Sequence, residues 1–163
     1  MMKRIAALIG LALVLLVGNA VPAQAADSHL ILHKCQVIAT VGSYQAVHCA
    51  NLWQFDSDVS WGENEIFCQT TSGTPVRCLG VKEIPGVCHT VNGCKYGVQG
   101  TCGTALGHSA CPVPRVVNDS PFAGGGCGNV RGRSIDTVVV LPNGTRVGGV
   151  GTSIETAWSR QAC

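Results

Sequence analysis

Charge is scarce in this 163-residue chain: Asp, Glu, Lys and Arg together make up 12% of it, and aromatic residues 5%. Lys3 and Arg4 account for the whole formal net charge of +2, and beyond them nine basic residues face nine acidic ones. Without clustered Lys and Arg there is no electrostatic footprint for nucleic acid or for an anionic bilayer. Arg131-Gly132-Arg133, in a Gly-rich stretch, reads as a solvated turn. Also missing after residue 25 is any i, i+3, i+4 apolar rhythm sustained over three turns, which excludes a helical bundle. No later apolar run approaches the roughly 20 residues that a membrane-spanning helix needs.

The first 25 residues stand apart. Lys3 and Arg4 precede an almost unbroken apolar run over residues 5–17, and Ala23-Gln24-Ala25 offers the small residues a signal peptidase requires. The pattern predicts a signal peptide over 1–25, cleaved after Ala25. A single secreted, extracellular, disulfide-rich domain over 26–163 follows, with no membrane attachment after cleavage. All ten cysteines lie beyond that point: Cys35, Cys49, Cys68, Cys78, Cys88, Cys94, Cys102, Cys111, Cys127 and Cys163. An even number in an exported chain reads as five disulfides.

What recurs along residues 26–163 is short β-type runs punctuated by turn residues. The expected class is all-β: a small, disulfide-stapled sandwich or barrel-like fold with hairpins and Gly-rich loops. Residues 30–41 and 44–53 flank Gly42-Ser43, a two-residue hairpin signal that sets Cys35 almost opposite Cys49. Residues 65–70 and 75–81 flank Ser72-Gly73-Thr74, with Cys68 and Cys78 symmetric about Gly73. Each hairpin can close on its own bridge, although pairing of 35 or 49 with 68 or 78 stays open. A third hairpin is expected from 136–141 to 146–152 through Asn143-Gly144, a dipeptide suited to a type I′ turn. Gly148, Gly149 and Gly151 suggest a bulge or a close backbone approach there. Residues 29–82 read as a compact four-stranded half, and 83–163 as a looser Gly- and Cys-rich half of one domain.

No constellation of reactive side chains stands out. The cysteine spacings between 88 and 127 lack the short Cys-x2-4-Cys pitch of zinc sites. His48-Cys49 and Cys88-His89 are sequence neighbours, which on a strand point to opposite faces. Gly107-His108-Ser109-Ala110-Cys111 departs from a nucleophile elbow at its last position and lacks an α/β context. The sequence is therefore read as non-catalytic, with no metal site and no cofactor.

One segment is chemically distinct. Asp56, Asp58, Glu63 and Glu65 crowd four of the nine acids into ten residues, among Trp53, Phe55 and Trp61. Trp61 occupies the place where an EF-hand loop needs Gly, and Phe67 the place of its Glu. A looser calcium site is one alternative. A glycosidase-like carboxylate pair is another, for which a chain this small has little room. The default is a solvated acidic loop joining two hairpins, whose aromatics stack on sugars, anchor a protein partner or plug a thin core.

The Ala-rich leader, VGSYQAVHCANLW, the FCQ and VRC pieces and the terminal cysteine resemble small cysteine-rich proteins secreted by actinobacteria. Among these, the chain is similar to the adaptor subunit of umbrella toxin particles. The likeness covers mainly residues 35–80 and rests on cysteine placement around YQAVHCANLW. In such particles the adaptor links a lectin subunit to a large polymorphic toxin. The resemblance thus implies protein–protein linkage, with an extended segment at about residues 27–34 docking into the toxin partner.

The resulting expectation is a secreted interaction module, an adaptor whose partners are other extracellular proteins. Its oligomeric state is left open. A peptidase inhibitor presenting Arg77 or Arg115 on a disulfide-braced loop is a second reading. A small sugar- or calcium-binding protein using residues 56–65 is the third.

Overall fold

β-branched and aromatic runs separated by Gly and Pro turns fold here as the pattern demands, into strands. A computed structural model describes residues 28–55, 59–123 and 127–161; the leader, its cleavage site, Asp56, Asp58 and Cys163 lie outside them. The strands run in chain order: β1 (Ser28–Val41), β2 (Tyr44–Phe55), β3 (Ser60–Thr70), β4 (Pro75–Val76), β5 (Gly80–His89), β6 (Gly93–Tyr96) and β7 (Gly100–Cys102). After a 3₁₀ turn at Thr104–Leu106 come β8 (Val116–Asp119), β9 (Gly128–Val140), β10 (Arg146–Gly148), β11 (Ile154–Glu155) and β12 (Ser159–Gln161). They build two antiparallel sheets that face one another and do not close into a barrel. The first has the order β1-β2-β3-β4, with β8 also on β3. The second is centred on β5 and β9, with β10, β11 and β12 on β9 and β6 and β7 on β5. Among the described residues no helix is long and apolar enough to cross a membrane.

The first hairpin forms as expected: Gly42 takes a φ of 57°, Val41 opposes Tyr44, and Cys35 sits directly across from Cys49. These two cysteines are bridged, as are Cys68 and Cys78. Cys88–Cys94 and Cys102–Cys111 complete the bridges between described residues, and Cys127 is also disulfide-bonded.

Several expectations need correction. Residues 60–65 are strand rather than acidic loop, because β3 begins at Ser60 and pairs with β2 from Gln54↔Ser60 to Tyr44↔Thr70. Residues 75–81 are not one strand. β4 ends at Val76, the chain crosses to the second sheet, and Cys78 marks the crossing, tied back to β3. Within the half read as looser, residues 86–132 hold the end of β5, β6, β7, β8 and the start of β9. The Asn143-Gly144 turn is not type I′. Only Gly144 has positive φ, and the Asn143 side chain accepts a hydrogen bond from Thr145 N at 3.0 Å. β10 stops at Gly148, whose φ of 76° brings its backbone against Thr137 O, so residues 149–152 turn away rather than extend the strand.

The interior between the sheets is layered. At one end Ala46, Ile66, Val81, Val139 and Leu141 form an apolar cluster with Cys68, Cys78 and Cys111. At the other end Leu52, Val87, Ala123 and Val130 form a second, smaller one. Between them lies a polar layer of His48, Asn64, Glu83, Ser134 and Thr137, all fully buried. A bulge at Asp136, a non-Gly residue with φ 55°, puts an extra residue into β9 opposite Lys82–Ile84. The extra residue shifts the inward parity of β9 from odd to even numbers. Val139 and Thr137 therefore face the core on one side of the bulge, and Ser134 and Val130 on the other.

At the smaller cluster the two sheets come close enough to exclude side chains. A Cβ at Gly62 would strike Gly86 O, and one at Gly132 would strike Asn51 O. Glycine at these two sites is a packing requirement.

Candidate interaction surface on the first sheet

Because β3 presents even residues inward, its odd residues Trp61, Glu63, Glu65 and Phe67 lie on the outer face of the first sheet. Antiparallel pairing sets them opposite Trp53, Asn51, Cys49 and Val47 of β2. The described residues expected to bind a partner thus gather on one surface. Trp53, Trp61 and Phe55 come together as rings, and Glu63 and Glu65 lie beside them.

The aromatic end is a contiguous cluster. Trp53 and Trp61 stack with centroids 5.9 Å apart and planes 10° from parallel. Phe55 packs on Trp61 at 4.6 Å, and Phe122 completes the group at 5.7 Å from Phe55 and 5.8 Å from Trp61. Half of the eight aromatic residues in the chain are in this cluster, although it faces away from the core. Phe122 is 54% exposed and Leu30, paired with Trp53, is 45% exposed, so the cluster opens to solvent.

The polar part is held by Asn51. Its amide nitrogen donates to Glu63 Oε1 at 2.8 Å and to Glu65 Oε1 at 3.1 Å. Trp53 Nε1 donates to the same Glu63 oxygen at 3.2 Å. Arg115 closes the row with an ion pair to Glu65 Oε2 at 2.6 Å, and that bond, with the carboxylate charge behind it, pushes the Arg115 guanidinium above its ordinary pKa. On the other side, His33 Nδ1 meets Asn51 Oδ1 at 2.5 Å, and its Nε2 lies 3.1 Å from Cys35 Sγ. Since the Asn51 nitrogen is turned to the two carboxylates, its oxygen faces His33, and Nδ1 must carry the hydrogen. A shallow hollow of about 190 Å³ lies beyond Arg115, lined by Glu65, Phe67, Pro75 and Pro114.

Side-chain alternation alone would have placed Asn51 with Trp53 and Phe55, had β3 been recognised as their partner. His33, Arg115 and Phe122 come from distant segments and carry no local signal. His48 and Cys49 do point to opposite faces: the imidazole is buried between the sheets while Cys49 bridges to Cys35 outside. Among the described residues, the group of His, Cys and acidic side chains close enough to share an ion is His33, Cys35 and Cys49, with both sulfurs joined to each other.

A second acid–asparagine cluster lies inside the polar layer. Glu83 Oε1 accepts from Asn118 Nδ2 at 2.7 Å, and Oε2 from Asn64 Nδ2 at 2.8 Å and Ser134 Oγ at 3.4 Å. Burial pushes its carboxyl up to about 7 despite those donors. His48, whose Nδ1 meets Thr137 Oγ1 at 3.4 Å, is pushed down to about 4 by the same desolvation.

These features define a disulfide-braced, two-sheet β protein with an aromatic and acidic outer face. Compared with known proteins, the chain matches no family model, no curated protein and no solved structure.

Proposed function

We infer that this is a secreted, non-catalytic interaction module that grips a protein partner with the outer face of its first sheet. The observation that carries the reading is the solvent-open cluster of Trp53, Phe55, Trp61 and Phe122 on a braced sheet. Aromatic anchors on a rigid support supply most of the energy at protein interfaces. Glu63 and Glu65 beside it form the polar rim such a patch needs.

The adaptor reading, in which the protein joins two components of an extracellular toxin particle, rests on the resemblance to actinobacterial adaptors. It gains support from β1, an edge strand of 14 residues in which none is buried. An uncovered edge can take up an extended partner segment by strand addition. Pull-down of the tagged protein from culture supernatant tests the proposal. A large complex that survives washing, and is lost when Trp53 and Phe122 are both replaced by Ala, is the expected result. A lone monomer, found repeatedly, sinks it.

The sugar-binding alternative is favoured by one detail: the near-parallel Trp53–Trp61 pair stands beside hydrogen-bonding groups on Asn51 and Glu63. Binding on a glycan array that disappears with Trp61→Ala would move the assignment to that class.

A further inference from the structure

The bridges between described residues differ in what surrounds them. Cys68–Cys78 is buried at both ends, and Cys102–Cys111 has its Cys111 end fully buried. Cys35–Cys49 and Cys88–Cys94 each join one exposed cysteine, Cys35 and Cys94, to a buried one. The polar neighbour of Cys94 Sγ is Arg133 Nη1, at 3.9 Å. Cys35 Sγ instead has an imidazole nitrogen, His33 Nε2, at 3.1 Å, and the same ring lies within 4.8 Å of Cys49 Sγ. His33 is oriented from behind, since Nδ1–H donates to Asn51, itself fixed by Glu63 and Glu65. The bridge also joins the edge strand β1 to β2, and neither of its cysteines belongs to either apolar cluster.

We propose that Cys35–Cys49 is an exchange-active bridge, at which a thiolate from solution is taken up on Cys35 with His33 as the acid–base group. The incoming thiolate attacks the exposed Cys35 Sγ. A new S–S bond forms as the Cys35–Cys49 bond breaks, and the electron pair leaves on Cys49 Sγ. That thiolate takes a proton from the His33 imidazolium. A second thiol can then attack the sulfur of the first, forming a disulfide between the two and releasing Cys35 as a thiolate 3.1 Å from Nε2. Over both steps two external thiols lose two electrons and the bridge gains them. The ring matters because exchange speeds up as the leaving thiolate is stabilised. Stopped after its first step, the reaction leaves a thiol-bearing molecule covalently attached to the edge strand.

The test uses the full oxidised protein with reduced glutathione as probe, acid quenching, alkylation of freed thiols and mass mapping. The glutathionyl adduct is expected on Cys35, and Cys35–Cys49 should open faster than Cys88–Cys94. His33→Gln, at an exposed edge position, should slow Cys35–Cys49 opening by about tenfold. This is modest beside the roughly 10²–10⁴-fold of general acid–base catalysis, because thiolates leave with little help. The substitution should also change the pH profile of that rate, while the Cys88–Cys94 rate stays unchanged. An adduct on Cys49, equal opening of the two bridges, or a His33→Gln rate and pH profile matching wild type would each overturn the proposal.

Discussion

Two acid–asparagine clusters lie one strand layer apart, and solvent separates their roles. On the outer face Asn51 holds Glu63 and Glu65, both partly exposed, beside four aromatic rings. Between the sheets Asn64 and Asn118 hold Glu83, which no water reaches directly. The inner carboxyl is driven up to about 7, because two amides and a hydroxyl do not replace the hydration it has lost. On the proposed function, the outer cluster is the part that presents charge to a partner. The inner one ties β3 and β8 of the first sheet to β5 and β9 of the second through Glu83.

Removing the staple that anchors the core should have the largest effect on this contrast. Replacing Cys68 and Cys78 together by Ser is expected to cost about 2–5 kcal/mol, read as a lower denaturant midpoint. Both sulfurs belong to the larger apolar cluster and tie the strand crossing to β3.

Next comes the pH dependence of the inner cluster. The raised carboxyl of Glu83 gives stability that is full below about 4.5 and lost as pH rises through about 7. The lowered imidazole of His48 works in the opposite sense, its contribution being full above 6.5 and lost as pH falls through about 4. The two nearly cancel between about 4.5 and 6.5, so wild-type stability should be flat around pH 5–6, decline only as pH approaches 7, and level off above it. Glu83→Gln removes the alkaline decline and leaves the His48 limb alone. At pH 8 the variant should be more stable than wild type by on the order of 1–3 kcal/mol. The new amide can be accommodated because Asn64 Oδ1 has no hydrogen-bond partner and can turn to accept from it. Melting curves from pH 4 to 8 check this, and an unchanged alkaline decline would mean that Glu83 is not its source.

Truncating the two asparagines compares the clusters directly. Asn64→Ala leaves a buried carboxylate short of a donor and should cost about 1–3 kcal/mol. Asn51→Ala should cost about 1 kcal/mol less than that, since water can replace its bonds to Glu63 and Glu65. Equal costs would erase the distinction drawn between outer and inner faces.

How much of this could be read from residues alone depended on distance along the chain. Cys35 opposite Cys49 was legible because a two-residue turn with Gly42 fixes the register locally. The Cys68–Cys78 pairing was legible for a similar reason, yet the sheet change just beyond Val76 was not, since residues 75–81 carry the composition of one continuous strand. The first half of β9 was hidden because Gly128 and Gly132 thin it, and at Gly132 the sheets approach too closely for a Cβ. The inner cluster left no trace: Glu83 follows Lys82 and reads as surface, and only the bulge at Asp136 brings Ser134 and Thr137 to the same side as it. On the outer face the aromatic and acidic composition was visible, but its convergence on one surface required the β2–β3 pairing.

The outer cluster should show the smallest effect on stability and the greatest on binding. Phe122→Asp, at a half-exposed ring, should change stability by less than about 0.5 kcal/mol, the usual range for surface substitutions. The most direct test of the whole account is to measure that variant's melting temperature and its retention of partner from culture supernatant in one experiment. An unchanged melting temperature with the partner lost is the expected outcome. A partner retained in full by a folded Phe122→Asp protein would show that the aromatic face of the first sheet is not the surface it uses.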